Sequence, residues 1–178
     1  MPHIHTDAGQ HDITASALIF RTANSVPQML LHMHKKLGML MQPGGHVEVH
    51  ENPWQAVLHE IEEETGYAKD QLSVLQPDWA ISSLTGAIAL PIPFNINTHT
   101  LPGLDHYHTD LAYVFTAMSD PAGLPAEGES TDLRWMTYDE IAVMSDQEIN
   151  ANVKQVALAA FDVPLNQWTA KPVGSVDE

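Results

Sequence analysis

A glycine-rich stretch followed by an acidic one decides the fold: residues 42–67 are QPGGHVEVHENPWQAVLHEIEEETGY. The second half has the limits of a helix, because Asn52 can cap its free amides, Pro53 suits its first position and Gly66 can end it. At about 100° per residue, one apolar stripe forms along this helix from Trp54, Val57, Leu58 and Ile61. The stretch therefore predicts a loop that leads into a short amphipathic helix.

Three carboxylates occupy a second stripe of the predicted helix. Glu60, Glu63 and Glu64 stand at positions i, i+3 and i+4, where like charges repel by about 0.2–0.5 kcal/mol per pair. A cation would relieve this repulsion, and clustered carboxylate oxygens suit hard ions such as Mg²⁺, which keep waters and bridge to phosphates. The alternative is a solvated acidic face, the usual role of a run of glutamates.

The spacing of the whole stretch is specific. Five residues separate Gly45 from Glu51, seven more separate Glu51 from His59, and residues 60–67 follow as EIEEETGY. This order resembles the signature of the Nudix hydrolase family, Gly-x5-Glu-x7-Arg-Glu-U-x-Glu-Glu-x-Gly-U, in which U is a bulky apolar residue. Every fixed position matches except His59, which stands where the family has arginine.

The resemblance implies a fold, a reaction and a cofactor. The fold is α/β, an α/β/α sandwich with a mixed β-sheet between helices. The reaction is hydrolysis of the pyrophosphate bond of a nucleoside diphosphate linked to another moiety, such as ADP-ribose, or of a nucleoside triphosphate. The resemblance also implies that Mg²⁺ or Mn²⁺ is bound by Glu60, Glu63 and Glu64 with the backbone carbonyl of Gly44. Many relatives are dimers, so a homodimer is a further expectation.

Four other residues of the stretch are expected to support the site: Gly45, Glu51, His59 and Gly66. In the family the arginine ties the glycine loop to the helix through the first glutamate, here Glu51. An imidazole is shorter than a guanidinium and lacks its five-donor fork, but it can donate one hydrogen bond to Glu51. We expect a working metal site with a looser loop. The substitution also leaves open a second class of function, a weakly catalytic module that binds or senses a nucleotide metabolite.

The sequence leaves the general base open. A helix glutamate can serve, and Glu129 is another candidate, because some relatives carry a catalytic glutamate six residues before a tryptophan and Trp135 stands at that distance. Glu127 is the neighbouring option. Both acids also fit a polar surface loop without a catalytic role.

Composition narrows the partners and the compartment. The 178 residues carry 23 acidic and 7 basic side chains, and the formal net charge of −16 disfavours polymeric nucleic acid and anionic membranes. The absence of cysteine excludes disulfides, thiolate zinc sites and a cysteine nucleophile. No basic-then-apolar leader and no apolar run of about 20 residues occurs, so we expect a cytoplasmic protein with a small-molecule substrate. The cations available to meet phosphates include Arg21, Lys35, Lys36 and Arg134.

Several histidines outside this stretch have open roles. His106, His108 and Asp110 stand at alternate positions near a predicted strand, where they form either a zinc or phosphate site or a polar strand edge. His32 and His34 are either exposed strand residues or part of the substrate cleft.

The rest of the chain is consistent with one domain over residues 11–165, between a loose N-terminal tail of residues 1–10 and a C-terminal tail of residues 166–178. His3 and His5 in the first tail are weak candidates for metal binding. The alternating and apolar patterns predict strands over 11–21, 28–35, 72–75, 79–84, 109–118 and 133–136, an extended segment over 88–99, a turn over 23–27, and helices over 138–144 and 149–161. Residues 39–41 lead into the glycine loop.

Overall fold

Nine strands and four α-helices occupy the part of the chain that the computed structural model describes, which is residues 7–100, 103 and 105–175. The strands are His11–Ala23 (β1), Val26–His34 (β2), Met39–Met41 (β3), Gly44–His46 (β4), Leu72–Gln76 (β5), Asn95–His99 (β6), Tyr107–Ala117 (β7), Leu133–Thr137 (β8) and Thr169–Pro172 (β9). The helices are Pro53–Thr65 (α1), Tyr138–Val143 (α2), Ala151–Asp162 (α3) and Pro164–Gln167 (α4). His3 and His5 lie outside the described residues.

The nine strands form one mixed sheet. Their order is β3-β2-β1-β7-β5-β9, with β4 beside β1, β6 beside β7 and β8 beside β2. The central strands β1 and β7 run parallel from the His11–Tyr107 pair to the Phe20–Thr116 pair, whereas the pairings around them are antiparallel. The glycine segment of β4 is thereby fixed against the middle of the sheet.

Helices cover both faces of the sheet, each over its own apolar core. On one face, the buried side chains of Trp54, Val57 and Ile61 in α1 pack with Tyr113 and Phe115 of β7. The core on the other face joins strand residues to α2 and α3: Leu18, Phe20, Val114, Ile141, Val153, Ala157 and Phe161. The expected α/β/α sandwich is confirmed. No helix in the described part of the chain is long and apolar enough to cross a membrane.

The turn between β1 and β2 is shorter than the predicted residues 23–27. Asn24 and Ser25 both have positive φ, 50° and 65°, as a two-residue hairpin turn requires when it follows the twist of its strands. Both strands therefore continue up to the turn, to Ala23 and from Val26.

Two expectations about the later part of the chain are wrong. Residues 79–84 form no strand, and Trp79, Ile81 and Leu84 are exposed instead of packed in a core. The edge of β5 pairs with β9, from Ser73–Pro172 to Gln76–Thr169. The same pairing shows that the predicted C-terminal tail of residues 166–178 contributes a strand to the fold. Of the segment over 88–99, only the part after Pro93 forms a strand.

Helix α3 begins at Ala151 and not at the predicted residue 149, because Asn150 caps it.

Candidate active site

Helix α1 has the ends that the sequence predicts. The side chain of Asn52 accepts hydrogen bonds from the amides of Trp54 and Gln55, and the amide of Asn52 donates to Oε1 of Gln55. The helix stops at Gly66, whose φ of 76° is left-handed. The apolar stripe packs against the sheet, so the acidic stripe is held at a fixed angle to the loop before the helix.

Glycines 44 and 45 let that loop approach the acidic stripe. A Cβ at Gly45 would overlap Oε1 of Glu60, so the carboxylate of Glu60 lies directly against the loop backbone. A Cβ at Gly44 would lie 2.6 Å from the carbonyl oxygen of Ala15. The amide of Gly44 also donates a 2.8 Å hydrogen bond to Oε2 of Glu64. The loop and the helix therefore meet through two carboxylates.

Burial gives these two carboxyl groups a high proton affinity. Glu64 is 8% exposed, and burial raises the pKa of Glu64 to about 8 although the amide of Gly44 opposes the shift. Burial, followed by the charge of Glu63, raises the pKa of Glu60 to about 7. Near neutral pH the pair therefore favours bound protons or a nearby cation.

The same groups suit a hard divalent ion by their chemistry. The side chains of Glu60, Glu63 and Glu64 offer oxygen donors on one stripe of α1, and the backbone of Gly44 lies against them. Among the described residues, no three acidic or histidine side chains are already arranged around one point as metal ligands. Chelation would therefore require a side-chain rotation, for which Glu63 has room because its side chain is 35% exposed.

A loop over residues 122–130 is tied to the C-terminal end of α1. The amide of Gly123 donates to the carbonyl of Gly66 at 3.0 Å, and the amide of Ala126 donates to the carbonyl of Glu63 at 2.7 Å. These bonds satisfy carbonyl groups that a helix end leaves without partners in the helix. Gly66 is required here for a second reason, since a Cβ would lie 2.5 Å from the carbonyl oxygen of Gly123.

Glu129 is brought to the acidic stripe by this loop. Nζ of Lys35 donates a 2.6 Å hydrogen bond to the carbonyl of Gly128, which holds the loop beside β2. The charge of Glu129 contributes to the raised pKa of both Glu60 and Glu64. Glu129 thus belongs to the electrostatic environment of the helix carboxylates, and we call these four acids, Glu60, Glu63, Glu64 and Glu129, the glutamate cluster.

His59 contacts Glu63 more closely than Glu51. Nε2 of His59 lies 3.1 Å from Oε1 of Glu63, whereas Nδ1 lies 3.8 Å from Oε2 of Glu51, too far for a hydrogen bond. The expected hydrogen bond to Glu51 is therefore wrong, because the short ring reaches the residue one helical turn away. Glu51 instead accepts a 3.0 Å hydrogen bond from the amide of Glu48 and closes the turn before α1.

His32 is a neighbour of the site, and the sequence had left open whether it is exposed or lines the cleft. It is 2% exposed, which excludes an exposed strand role, and its Nε2 lies 3.8 Å from Oε2 of Glu64. Burial, followed by the charge of His34, lowers the pKa of His32 to about 4, so its ring is neutral beside Glu64. The strand alternation was a usable signal, because Leu30 on the same face of β2 belongs to the core under α1.

The predicted triplet of His106, His108 and Asp110 is not arranged as one set of metal ligands, although His108 and Asp110 share a face of β7. Asp110 accepts hydrogen bonds from the hydroxyls of Thr14 at 3.0 Å and Ser16 at 2.8 Å. Both of its carboxylate oxygens are therefore used within the sheet. The two histidines face other imidazoles instead.

Two of the predicted cations are engaged away from the glutamate cluster. Arg21 stacks over the ring of Trp135 at 4.3 Å, and Arg134 pairs with Asp132 at 2.7 Å. Lys35 is the cation that the structure connects to the loop of Glu129.

Two hollows lie in the described structure, and neither is lined by a member of the glutamate cluster. One, of about 610 Å³, lies between the Gln55 and His59 side of α1 and residues 82–90. The other, of about 40 Å³, lies on the opposite face of the sheet beside Gln42 and the start of α3.

Comparisons with known proteins agree with this geometry. The NUDIX domain family matches residues 10–158. A hydrolase of the NUDIX family from Clostridium perfringens is 28% identical, with a TM-score of 0.70 over 85% of this chain and 96% of that one. An Ap4A hydrolase from C. elegans is 18% identical, with a TM-score of 0.62 over 87% of this chain and 98% of that one. No curated protein matches the chain.

A third similar structure is the NUDIX domain of Shewanella oneidensis NrtR in complex with ADP ribose. It is 17% identical, with a TM-score of 0.61 over 88% of this chain and 89% of that one. The family match covers well over half of the chain, and the conformations of loop and helix fit the spacing that the sequence shows. The chain therefore belongs to the NUDIX domain family.

Proposed function

We propose that this protein hydrolyses the pyrophosphate bond of a nucleoside diphosphate linked to another moiety, with Mg²⁺ or Mn²⁺ as cofactor. One observation carries the proposal: the carboxyl groups of Glu60 and Glu64 are packed against the Gly44–Gly45 backbone, where burial raises their pKa to about 7 and about 8. Acids buried beside one another favour bound protons or a metal ion.

The residues that would hold the ion are Glu60, Glu63, Glu64 and the backbone carbonyl of Gly44. A bound ion of this kind neutralises phosphate charge, polarises phosphorus and lowers the pKa of a water. The formal charge of −16 makes this neutralisation necessary for a phosphorylated substrate to approach. The protein itself then mainly orients the diphosphate and the attacking water, as in other phosphoryl transfers.

We assign the role of general base to Glu129. Its loop is held by bonds to Gly66, to Glu63 and to Lys35, so its position is fixed relative to α1. Its charge acts on both Glu60 and Glu64 although it comes from a separate element, which supports a role together with the helix acids. A carboxylate there can accept the proton of the attacking water.

Candidate substrates follow from the family and from what the similar structures contain. ADP-ribose and Ap4A head the panel, since the Shewanella domain is bound to the first and the C. elegans enzyme is a hydrolase of the second. NADH and oxidised nucleoside triphosphates complete it. A homodimer and a small-molecule partner stay predictions, and sedimentation equilibrium tests the first.

The experiment is a coupled assay on protein freed of metal by chelation. ADP-ribose resists alkaline phosphatase, whereas the phosphomonoesters formed by cleaving its diphosphate do not, so released phosphate reports turnover. For triphosphates, an inorganic pyrophosphatase replaces the phosphatase, because phosphatase attacks the substrate itself. We expect turnover of at least one substrate that is restored by Mg²⁺ or Mn²⁺ and abolished by chelator. Silence across the panel with retained nucleotide binding would identify a binding module instead.

A further inference from the structure

Four donor side chains meet at one end of β1 and β7, apart from the glutamate cluster. They are Asp12 of β1, His46 of β4, His106 just before β7 and His108 within it, and we call them the histidine cluster. Asp12 and His108 face α3, because Leu18 and Val114, an even number of residues further along their strands, belong to the core on that face. The glutamate cluster lies on the other side of the sheet, with α1.

The separations within the histidine cluster match those of ligands around one metal ion. Nε2 of His46 lies 3.4 Å from Oδ2 of Asp12, and the ring of His108 lies 5.0 Å from that of His46 and 5.2 Å from that of His106. Bonds of about 2.0–2.1 Å to a tetrahedral zinc ion put two donor atoms about 3.3 Å apart and two ring centres about 5 Å apart.

His108 has an unused buried nitrogen. The residue is 6% exposed, and its Nε2 is buried and makes no hydrogen bond in the described structure. A buried polar atom without a partner calls for an unseen water or ion. Three imidazoles surround this ring, those of His46, His99 and His106, with ring centres 5.0, 5.7 and 5.2 Å from that of His108.

Two neighbours, Asp110 and His99, are not needed for a set of four donors and are already bonded to other residues. Both oxygens of Asp110 accept hydrogen bonds from hydroxyl groups, and Nδ1 of His99 lies 2.9 Å from Oδ1 of Asn97. Rotation is needed to close the site, because no three donors in the described residues already surround one point. His46 and His106 can rotate, since their side chains are 35% and 17% exposed.

We propose that Asp12, His46 and His108, with His106 as the fourth donor, bind a divalent transition-metal ion of the zinc class. Imidazole nitrogens select such ions, whereas a cluster of carboxylates selects magnesium or manganese. The site would join β4, which carries Gly44 and Gly45, to the central strands β1 and β7. A metal here therefore braces the backbone of the glycine loop. This inference does not depend on the proposed hydrolysis.

Calorimetry on the full chain with saturating Mg²⁺ tests the site, with Zn²⁺ as the titrant and Co²⁺ as a spectroscopic substitute. We expect one Zn²⁺ per chain, an increase in Tm, and the intense visible absorption of tetrahedral Co²⁺. His46→Gln is expected to weaken Zn²⁺ binding at least tenfold, and because His46 is partly exposed this variant should fold. Asp12→Asn and His106→Gln should also weaken Zn²⁺ binding, because each removes a proposed donor.

Three control variants make the result decisive. His50→Gln removes an exposed histidine outside the cluster and should leave Zn²⁺ affinity unchanged. A His3→Gln, His5→Gln double variant removes a competing site near the N-terminus. Glu64→Gln should retain Zn²⁺ binding even if the proposed hydrolase activity is absent. Zn²⁺ binding that is missing, or that survives in both His46→Gln and His106→Gln, would overturn the proposal.

Discussion

The glutamate cluster and the histidine cluster differ in how the chain assembles them. Three of the four acids of the first stand within two turns of one helix, whereas the four donors of the second come from three segments: β1, β4 and the start of β7. In both clusters, burial shifts the pKa of a side chain so that its neutral form is favoured. The pKa is raised for Glu60 and Glu64 and lowered for His108. The first cluster is thus a local product of sequence, and the second is a product of strand register.

Glu64→Gln should have the largest effect and should affect only the glutamate cluster. The substitution removes a charge and a metal-ligand oxygen while it keeps the size of the side chain and the acceptor for the amide of Gly44. We expect kcat to fall on the order of 1000-fold, because one electrostatic contribution to the transition state is lost. Mg²⁺ titration of activity is the measurement.

The control for that loss is Glu62→Gln on the same helix. Glu62 is exposed and points away from the glutamate cluster, so its variant should keep both kcat and the Mg²⁺ midpoint. Equal losses in the two variants would mean that net charge, and not the buried site, governs activity.

Glu129→Gln tests whether an acid from a distant loop belongs with the three acids of the helix. Loss of a general base should lower kcat about 100-fold and leave the Mg²⁺ midpoint of activity near that of the wild type. Glu127→Gln is the matched variant, because Glu127 is an exposed residue of the same loop. A Glu129→Gln enzyme with normal kcat, or one whose defect disappears at high Mg²⁺, would exclude the base role.

Gly66→Ala tests the contact between helix α1 and the 122–130 loop, which carries Glu129. Alanine would adopt an unfavourable φ of 76° and place its Cβ 2.5 Å from the carbonyl oxygen of Gly123. We expect the free energy of unfolding to fall by about 2–3 kcal/mol, measured in urea.

Gly86→Ala separates the two causes of that loss. Gly86 has the same φ of 76°, but nothing lies within 4 Å of the position of its Cβ. Its variant should lose only the backbone contribution, about 1 kcal/mol. If both alanine variants were equally stable, the close approach of the 122–130 loop to Gly66 would be wrong.

Stability against pH should separate the buried acids from the buried histidines, because their shifts have opposite signs. Glu60 and Glu64 bind protons more tightly in the folded state, so they destabilise the metal-free protein as pH rises from about 4.5 to about 8. The lowered pKa values of His32 and His108 act oppositely, since stability is lost as pH falls from 6.5 to about 4. Above pH 6.5 the unfolded histidines lose only the remaining half of their protons, so the acids dominate the change in stability.

The measurement is urea unfolding in chelator at pH 6.5 and pH 8.5. The free energy of unfolding should be lower at pH 8.5, by on the order of 1–2 kcal/mol. Mg²⁺ should reverse the loss, because ligands that have released their protons bind the ion best. Glu64→Gln should show a smaller difference between the two pH values, and a wild type without any difference would contradict the buried acid pair.

The sequence was sufficient for the parts of the fold that are local. The caps at Asn52 and Gly66 and the apolar stripe of α1 are all fixed by short-range rules, and the structure has them as predicted. The strand β9 was missed because four mostly exposed residues that include Pro172 carry no pattern of their own. Only its pairing with β5 makes it a strand.

The same division holds for the two clusters. The spacing of the stretch predicted Glu60, Glu63 and Glu64 as neighbours, and the tryptophan six residues on indicated Glu129. His32 was left ambiguous, because alternation in a strand says which residues share a face and not which face is covered. Asp12 and His46 could not have been grouped with His108, since that requires the register of β1 with both β4 and β7.

His59→Arg should have the smallest effect, and it tests whether the local cluster lacks anything without the family arginine. A guanidinium can reach Glu51 with two hydrogen bonds, whereas the imidazole lies 3.8 Å away and contacts Glu63. We expect about 0.5–1 kcal/mol of added stability, limited because residue 59 is 39% exposed, and slower amide exchange in residues 44–51. His59→Lys adds the same charge without the fork, so it controls for the general benefit of a cation in an acidic protein. If arginine and lysine gave the same stability and the same exchange rates, the glycine loop would not need the donor fork of a guanidinium. Histidine at position 59 would then be sufficient for the structure of residues 44–67.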